Sequence, residues 1–577
     1  MALAAAGVLY MSIAAPVTSA TKPTGADGRL QQLADQMIAL QVSYSPASAY
    51  PLGAPAPDHR RWPNFSVTAI AALQRSNEML LVDLRAISPV SLSLRNRFIH
   101  AGMVERLEAD RQARVCRNEL WDVNHMHGWH LRLAEVAREQ PVSTDEERVQ
   151  APERWSSVPA VVDQQIVNAR AGLAAGYSAP KSVVRRVFRQ AETLASAEPE
   201  ALPYWTIANR SDDAAFRSAF RATLTGPVRS GFRRYADFLK VEYVPRAREE
   251  IAVTANPNGR ACYTASLRSY TTLDRSPEDV FRIGRETVTA NAARVGVLGR
   301  EAFGTGDLKL IAQRIVDAPD NRFSSEEELI TFSREVAARA REKSAGLFLA
   351  TPGQEMRVEP FETYRRGSGG SAYYERQVDE VRPAFFRINS EVWANETRGS
   401  AEVTAVHEGY PGDHMQVSSA RSVAAGPISN LLHNSAYAEG WARYSEALAE
   451  EAGIYRTRYA PMSRRLWPAR GMVVDPGIHV MGWTREQAIA FMQESGRLKA
   501  AEAEDMVDRI AILPGQLTAY DSGGLEIMAL RREAENSLGD RCEIREFHAR
   551  VLETGSVPLW ALRKHIKDWA DVELRRR

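Results

Sequence analysis

Apolar residues recur every three to four positions along most of this chain. SVTAIAALQRSNEMLLVDLRAI (66–87) carries them at helical spacing, as do SVPAVVDQQIVNARAGLAAGY (157–177) and SEEELITFSREVAARAREKSAGLF (325–348). Such a period lines the apolar side chains along one face of a helix, which must then be buried against a neighbour. SPEDVFRIGRETVTANAARVGVLGREAFG (276–304) adds its own punctuation. Ser276 is placed to cap, Pro277 sits where a helix needs no N–H donor, and Gly304 closes the run. Linkers are short, and there is no fixed-period repeat or low-complexity tract. The pattern predicts a mainly α fold with many helices, forming one large domain over residues 21–577.

One stretch breaks the helical period. Residues 356–390, MRVEPFETYRRGSGGSAYYERQVDEVRPAFFRINS, alternate β-branched and aromatic clusters around a glycine-rich loop. AFFRIN reads as a strand, and the whole as a small sheet just before residue 404. An edge strand there can hold an extended peptide through backbone pairing, with Tyr374 as a candidate substrate contact. RGSGGSA (366–372) lacks the Gly-x-Ser-x-Gly spacing of a nucleophile elbow, which speaks against a serine hydrolase.

Composition narrows the function classes. The 577 residues are 44% hydrophobic and 25% charged, with 73 basic and 72 acidic side chains interspersed. That balance leaves no electrostatic footprint for nucleic acid. Only the N-terminal run MALAAAGVLYMSIAAPVTSA is strongly apolar. It ends in Thr18-Ser19-Ala20, a small-residue cleavage pattern, although it lacks the usual positive charge after Met1. Residues 1–20 are therefore expected to be a signal peptide, the mature chain periplasmic or secreted, and not stably inserted in a membrane. Cys116, Cys262 and Cys542 form no CxxC pair, so a cysteine zinc site or thioredoxin-like chemistry is not expected. One disulfide is allowed in an oxidising compartment, and spacing does not choose the pair.

The chemistry concentrates in TAVHEGYPGDHMQVS (404–418). Zinc peptidases of the zincin type carry His-Glu-x-x-His on one helix. Here His407-Glu408 opens that motif, but Pro411 occupies the position of the second His. A catalytic zinc needs three protein ligands, an open position for water, and a carboxylate beside that water. His407 supplies a ligand and Glu408 the general base. Pro411 removes a helical hydrogen bond, and Gly412 permits backbone angles other residues avoid. A break between Tyr410 and Asp413 is expected. On an unbroken helix His414 would lie about 10.5 Å along the axis from His407, too far to share an ion. A Pro-Gly bulge brings His414 or Asp413 back into reach, with His414 the expected ligand. The third ligand is expected from NSAYAEGWARYSEALAEEAG (434–453). Glu439, beside Gly440, is the candidate, and Glu446 its hydrogen-bonding support.

HEGYPGDHMQ followed by YAEGWARYSEAL resembles the bacterial family called domain of unknown function 885. VVDPGIHVMGWTREQAIAFM (473–492), LPGQLTAYDSGGLEIMALR (513–531) and FHARVLETGSVPLWALR (547–563) agree with it in order. The resemblance implies a mostly helical, zincin-like metallopeptidase with a Glu-type zinc site and a small sheet beside the active-site helix. Where the family pattern has two successive His, this chain has Asp413-His414. The resemblance also promotes His479 and Tyr520 as donors to a developing oxyanion, and Arg531 as a partner for a substrate carboxylate.

LWDVNHMHGWHLRL (120–133) brings His125, His127 and His130 together. Packing or surface roles stand first for it, lining of a substrate cleft second and a second metal site last. The expectation is an exported Zn²⁺-dependent hydrolase of peptide or small amide substrates. A non-catalytic binding protein on a degenerate peptidase scaffold is the alternative that Asp413 keeps open.

Overall fold

Serine caps and glycine stops place the helices where the periodicity predicts them. The computed structural model describes residues 25–361, 372–375, 382–423 and 426–576. The expected leader and most of the glycine-rich stretch 366–372 lie outside the described residues. Ser66 accepts from the Ala69 N–H to start Val67–Arg85, and Ser325 from Glu328 to start Glu326–Ser344. Ser276 caps Pro277–Phe303, which stops at Gly304 in the left-handed region with φ of 71°. SVPAVV opens the helix Val158–Ala174.

The apolar faces of these helices meet in separate clusters. The largest gathers Trp155, Tyr204, Phe220, Phe232 and Tyr263, all fully buried. A second encloses the His407 region with Val406, Tyr410, Tyr437, Trp441, Tyr444 and Phe547. Each such large side chain contributes on the order of 2–3 kcal/mol by leaving water, so these clusters hold the elements around the site rigidly.

The small sheet is present. Its strands are β1 (Met356–Pro360), β2 (Ala372–Glu375) and β3 (Ala384–Ile388), with β3 in the middle. β3 runs parallel to β1, pairing Phe386 with Val358, and antiparallel to β2, pairing Phe386 with Tyr374. Ala384, Phe386 and Ile388 are buried while Phe385 and Arg387 alternate with them. Val358, Phe386 and Ile388 pack in one cluster with Leu329 and Val336, and with Ala401 and Ala405 from the helix bearing His407. The two-residue period thus fixes the sheet against that helix. Across the other face Arg387 bridges Glu359 and Glu375 at 2.7 and 2.8 Å.

Cys116 and Cys262 form a disulfide, and the Cys542 thiol is free. Among the described residues no helix is long and apolar enough to cross a membrane.

Candidate functional site

The helix Arg398–Glu408 begins at Thr397, whose side chain accepts from the Ser400 N–H, and ends one residue after His407. The Tyr410–Pro411 peptide is cis, and a new helix starts at Asp413 and runs to Val423. A Cβ at Gly412 would collide with the carbonyl oxygens of Val406 and His407, so only glycine fits this turn. The Pro411 carbonyl accepts from Trp441 Nε1 at 2.8 Å and Ser445 Oγ at 3.1 Å. The break is thereby tied to the helix that carries Glu439.

That helix, Ser435–Glu451, is capped by Asn434. It crosses Ala519–Leu538 so closely that a Cβ at Gly440 would strike the backbone of Gly523. Glu439, Arg443 and Glu446 stand four and three residues apart, one above another on one face. His407, 16% exposed, lies between two of them: its Nδ1 is 2.9 Å from Glu446 and its Nε2 is 3.4 Å from Glu439. Arg443 reaches Glu446 at 2.8 Å and Asp521 at 3.5 Å. Asp521 in turn accepts from the Ala469 N–H at 2.7 Å. Glu408 lies beside the sheet and accepts a hydrogen bond from the Tyr374 backbone N–H.

The charges at this site are poorly balanced. Burial pushes the Glu408 carboxyl up to about 7; His407 draws it down and Glu439 adds to the rise. Burial also lifts Asp413 well above the usual carboxylate range; His407 opposes the rise, while Glu408, Glu439 and Glu446 reinforce it. Burial acts against a charge on His407, but its hydrogen bonds to Glu439 and Glu446 win and hold it well above an ordinary imidazole. Glu446, 3% exposed, stays below its ordinary value: burial disfavours its charge, but Arg443 and then His407 outweigh that. Arg443 is committed to Glu446 and Asp521. Glu408, Asp413 and Glu439 are therefore left around a single imidazole. Among the described residues no three His, Cys, Asp or Glu side chains are arranged to hold a metal ion as they stand. The donor set nevertheless has the chemistry of a cation site: one imidazole, several carboxylates and a deficit of positive charge.

His414, His479 and Arg531 are engaged by other partners, whereas Tyr520 is the chain neighbour of Asp521. His414 does not turn toward His407. It is fully buried, with Nδ1 3.0 Å from the Tyr374 hydroxyl and Nε2 3.1 Å from the Gln354 carbonyl. Burial depresses it to about 4, so the ring is neutral. The break starts the new helix one residue earlier, and Asp413 is the group whose charge is felt by His407, Glu408 and Glu439. Tyr374 does reach the site, through its N–H to Glu408. His479 is fully buried elsewhere, accepting from the Val253 N–H at 2.9 Å through Nδ1 and meeting the Ile510 carbonyl at 3.1 Å through Nε2. Both nitrogens are used, so it has no donor left for an oxyanion. Tyr520 lies 3.5 Å from Arg509. Arg531 is held by Glu451 and Glu535, each at 2.8 Å, so it is not available to a substrate carboxylate. The His125–His130 segment is not a metal cluster: His130 bonds Gln190 at 2.9 Å and His125 lies 3.3 Å from Arg186. Sequence reasoning missed Arg443 and Asp521. The spacing of Glu439, Arg443 and Glu446 on one helical face was a legible sign of the first.

A family model described as bacterial protein of unknown function, DUF885, matches residues 46–566. No curated protein matches the chain in sequence. A crystal structure from Colwellia psychrerythraea, provisionally described as a lipoprotein, superposes with a TM-score of 0.86 at 21% identity. The match covers 95% of this chain and 99% of that one. A structure from Shewanella oneidensis, provisionally described as a lipoprotein of unknown function, superposes at 0.74 with 17% identity, covering 93% and 99%. At these identities the likeness is one of fold.

Proposed function

The chain belongs to the DUF885 family of bacterial proteins, and from its site we propose a zincin-like, zinc-dependent hydrolase of peptide or other amide bonds. The observation that carries this reading is the His407 arrangement. Glu446 holds Nδ1 at 2.9 Å and so directs Nε2 toward Glu439, with Glu408 one residue away. A carboxylate behind an imidazole, fixing its tautomer, is the support a ligating His requires. Zinc bound here would acidify a water molecule and polarise an amide carbonyl. His407 and Glu439 would hold it, with Asp413 in the place expected of His414.

The remaining roles fall to residues already in position. Glu408, next to His407 in the chain, would take a proton from the attacking water and return it to the leaving amine. Tyr374 keeps that carboxylate oriented through its backbone N–H, and the edge strand β2 offers an extended substrate its pairing groups. Arg443 compensates Glu446 and Asp521, so the second layer does not draw charge away from the ligands. An extracytoplasmic location is part of this reading, supported by the expected leader and by the lipoprotein description of the Colwellia and Shewanella structures.

The experiment is elemental mass spectrometry of the purified chain, paired with peptide-library turnover for wild type and Glu408→Gln. About one zinc per chain in both proteins, with turnover only in the wild type, is the expected result. Zinc-free wild type after reconstitution overturns the hydrolase reading. Equal behaviour of both proteins toward ligands, without turnover, favours a binding protein.

A further inference from the structure

The segment after Trp121 builds a second recognition surface. Asn124 Oδ1 accepts from the N–H groups of Met126 and His127 at 2.8 and 2.9 Å, folding the chain into a tight turn. A Cβ at Gly128 would strike the Asn124 carbonyl and the His130 ring. The helix Trp129–Glu139 starts there, and Arg132 is anchored by one bond from Nε to the His127 carbonyl at 3.0 Å. No carboxylate lies within ion-pair distance of Arg132 or of Arg509 among the described residues, in contrast to Arg531. Arg509 spends its donors on neutral oxygens: Gln516 at 2.7 and 3.2 Å, and Tyr520 at 3.5 Å.

Two cavities meet at Arg132. One, of about 350 Å³, has a polar wall including Asn118, Asn124, His127 and Tyr270. The other, of about 470 Å³, is walled by Tyr44, Trp62, Phe65 and Trp129. Asp122 and Arg132 line both. Arg132 acts electrostatically on His127, where Glu135 opposes it, and on Tyr270, where Asp475 opposes it. Asp122, which lines both cavities, and Glu135 and Glu139, which line the aromatic one, are the opposing charges of the lining. Burial pushes the Asp122 carboxyl up, and Arg132 only partly draws it back.

We propose that this double cavity binds an organic carboxylate whose neighbouring group is apolar or aromatic: the carboxylate at Arg132, the apolar group among Trp62, Phe65 and Trp129. A guanidinium without a carboxylate partner suits such an anion, and an aromatic wall beside it selects the amphipathic kind. This inference deepens the amide-hydrolase reading and rests on it for one step only, that the ligand is the acidic end of an amide substrate or product.

The test is calorimetric titration of the full chain, metal-free in chelator at low ionic strength. The probes are N-acetylphenylalanine, its carboxamide, N-acetylglycine and inorganic phosphate. N-acetylphenylalanine is expected to bind about tenfold or more tighter than each of the others. Arg132→Gln should weaken it about tenfold, and Asp122→Asn should strengthen it. Arg132 is exposed, so its variant keeps the fold, which circular dichroism checks. Equal binding of acid and carboxamide, phosphate binding as tightly as the acid, or indifference to Arg132→Gln overturns the proposal. Because the metal is removed, failure of the zinc reading leaves this result unaffected.

Discussion

Replacing Glu408 by Gln should stabilise the metal-free protein, and increasingly so as pH rises. The folded carboxyl titrates near 7 instead of 4.5, because burial and then Glu439 raise it more than His407 and the Tyr374 N–H lower it. The folded state therefore holds a proton that the unfolded chain has released. Stability is favoured below the unfolded value and lost as pH climbs toward the folded one. Linkage makes the ionised group unfavourable by at most about 1.4 kcal/mol at pH 5.5 and about 3 kcal/mol at pH 8. The carboxylate is half-buried, and solvent screening trims the gain between these pH values to about 1 kcal/mol. Gln keeps the acceptor for the Tyr374 N–H and removes the charge. For a chain of this size that gain corresponds to roughly 1 °C in midpoint. Scanning calorimetry of both proteins in chelator at pH 5.5 and 8 reads it directly. A difference that is flat with pH, or a variant less stable at pH 8, would refute the account of Glu408 as an uncompensated buried acid.

The other expectations concern the residues around it. His407→Ala and Glu439→Gln should each abolish stoichiometric zinc, and Asp413→Asn should weaken it at least about tenfold, whereas His414→Ala keeps the metal and loses stability; elemental analysis with urea denaturation separates these outcomes. His479→Ala should cost about 2–4 kcal/mol, because it strands the Val253 N–H and opens a cavity, with kcat per folded molecule little changed. Arg531→Gln should alter stability by less than about 1 kcal/mol, since its two ion pairs are partly exposed, and should leave KM for peptides within about twofold. Tyr374→Phe keeps the backbone donor to Glu408 but loses the hydroxyl on His414, so thermal stability should fall by about 1 kcal/mol with zinc content unchanged.

Local rules of the chain determined a good deal by themselves. Apolar periodicity, with the Ser276 cap, located helices within 66–87, 157–177, 276–304 and 325–348, where they run 67–85, 158–174, 277–303 and 326–344, because each rests on spacing within one segment. Alternation located AFFRIN as a strand, and Pro411-Gly412 marked a break because a missing N–H and a missing Cβ act on their own backbone. His407, Glu408 and Glu439 were nameable for the same reason: their motifs are short. Tertiary structure decided the rest. Asp413 and His414 are adjacent in the chain, and only the packing around the turn held by Trp441 and Ser445 engages His414 with Tyr374 and Gln354. His479 and Arg531 carry suitable chemistry, yet partners up to hundreds of residues away consume it, as Val253 does for His479. The pairing of Cys116 with Cys262 and the meeting of two cavities at Arg132 likewise depend on contacts between distant segments. Sequence records which groups are present, and the packing of distant helices determines which of them remain free to act.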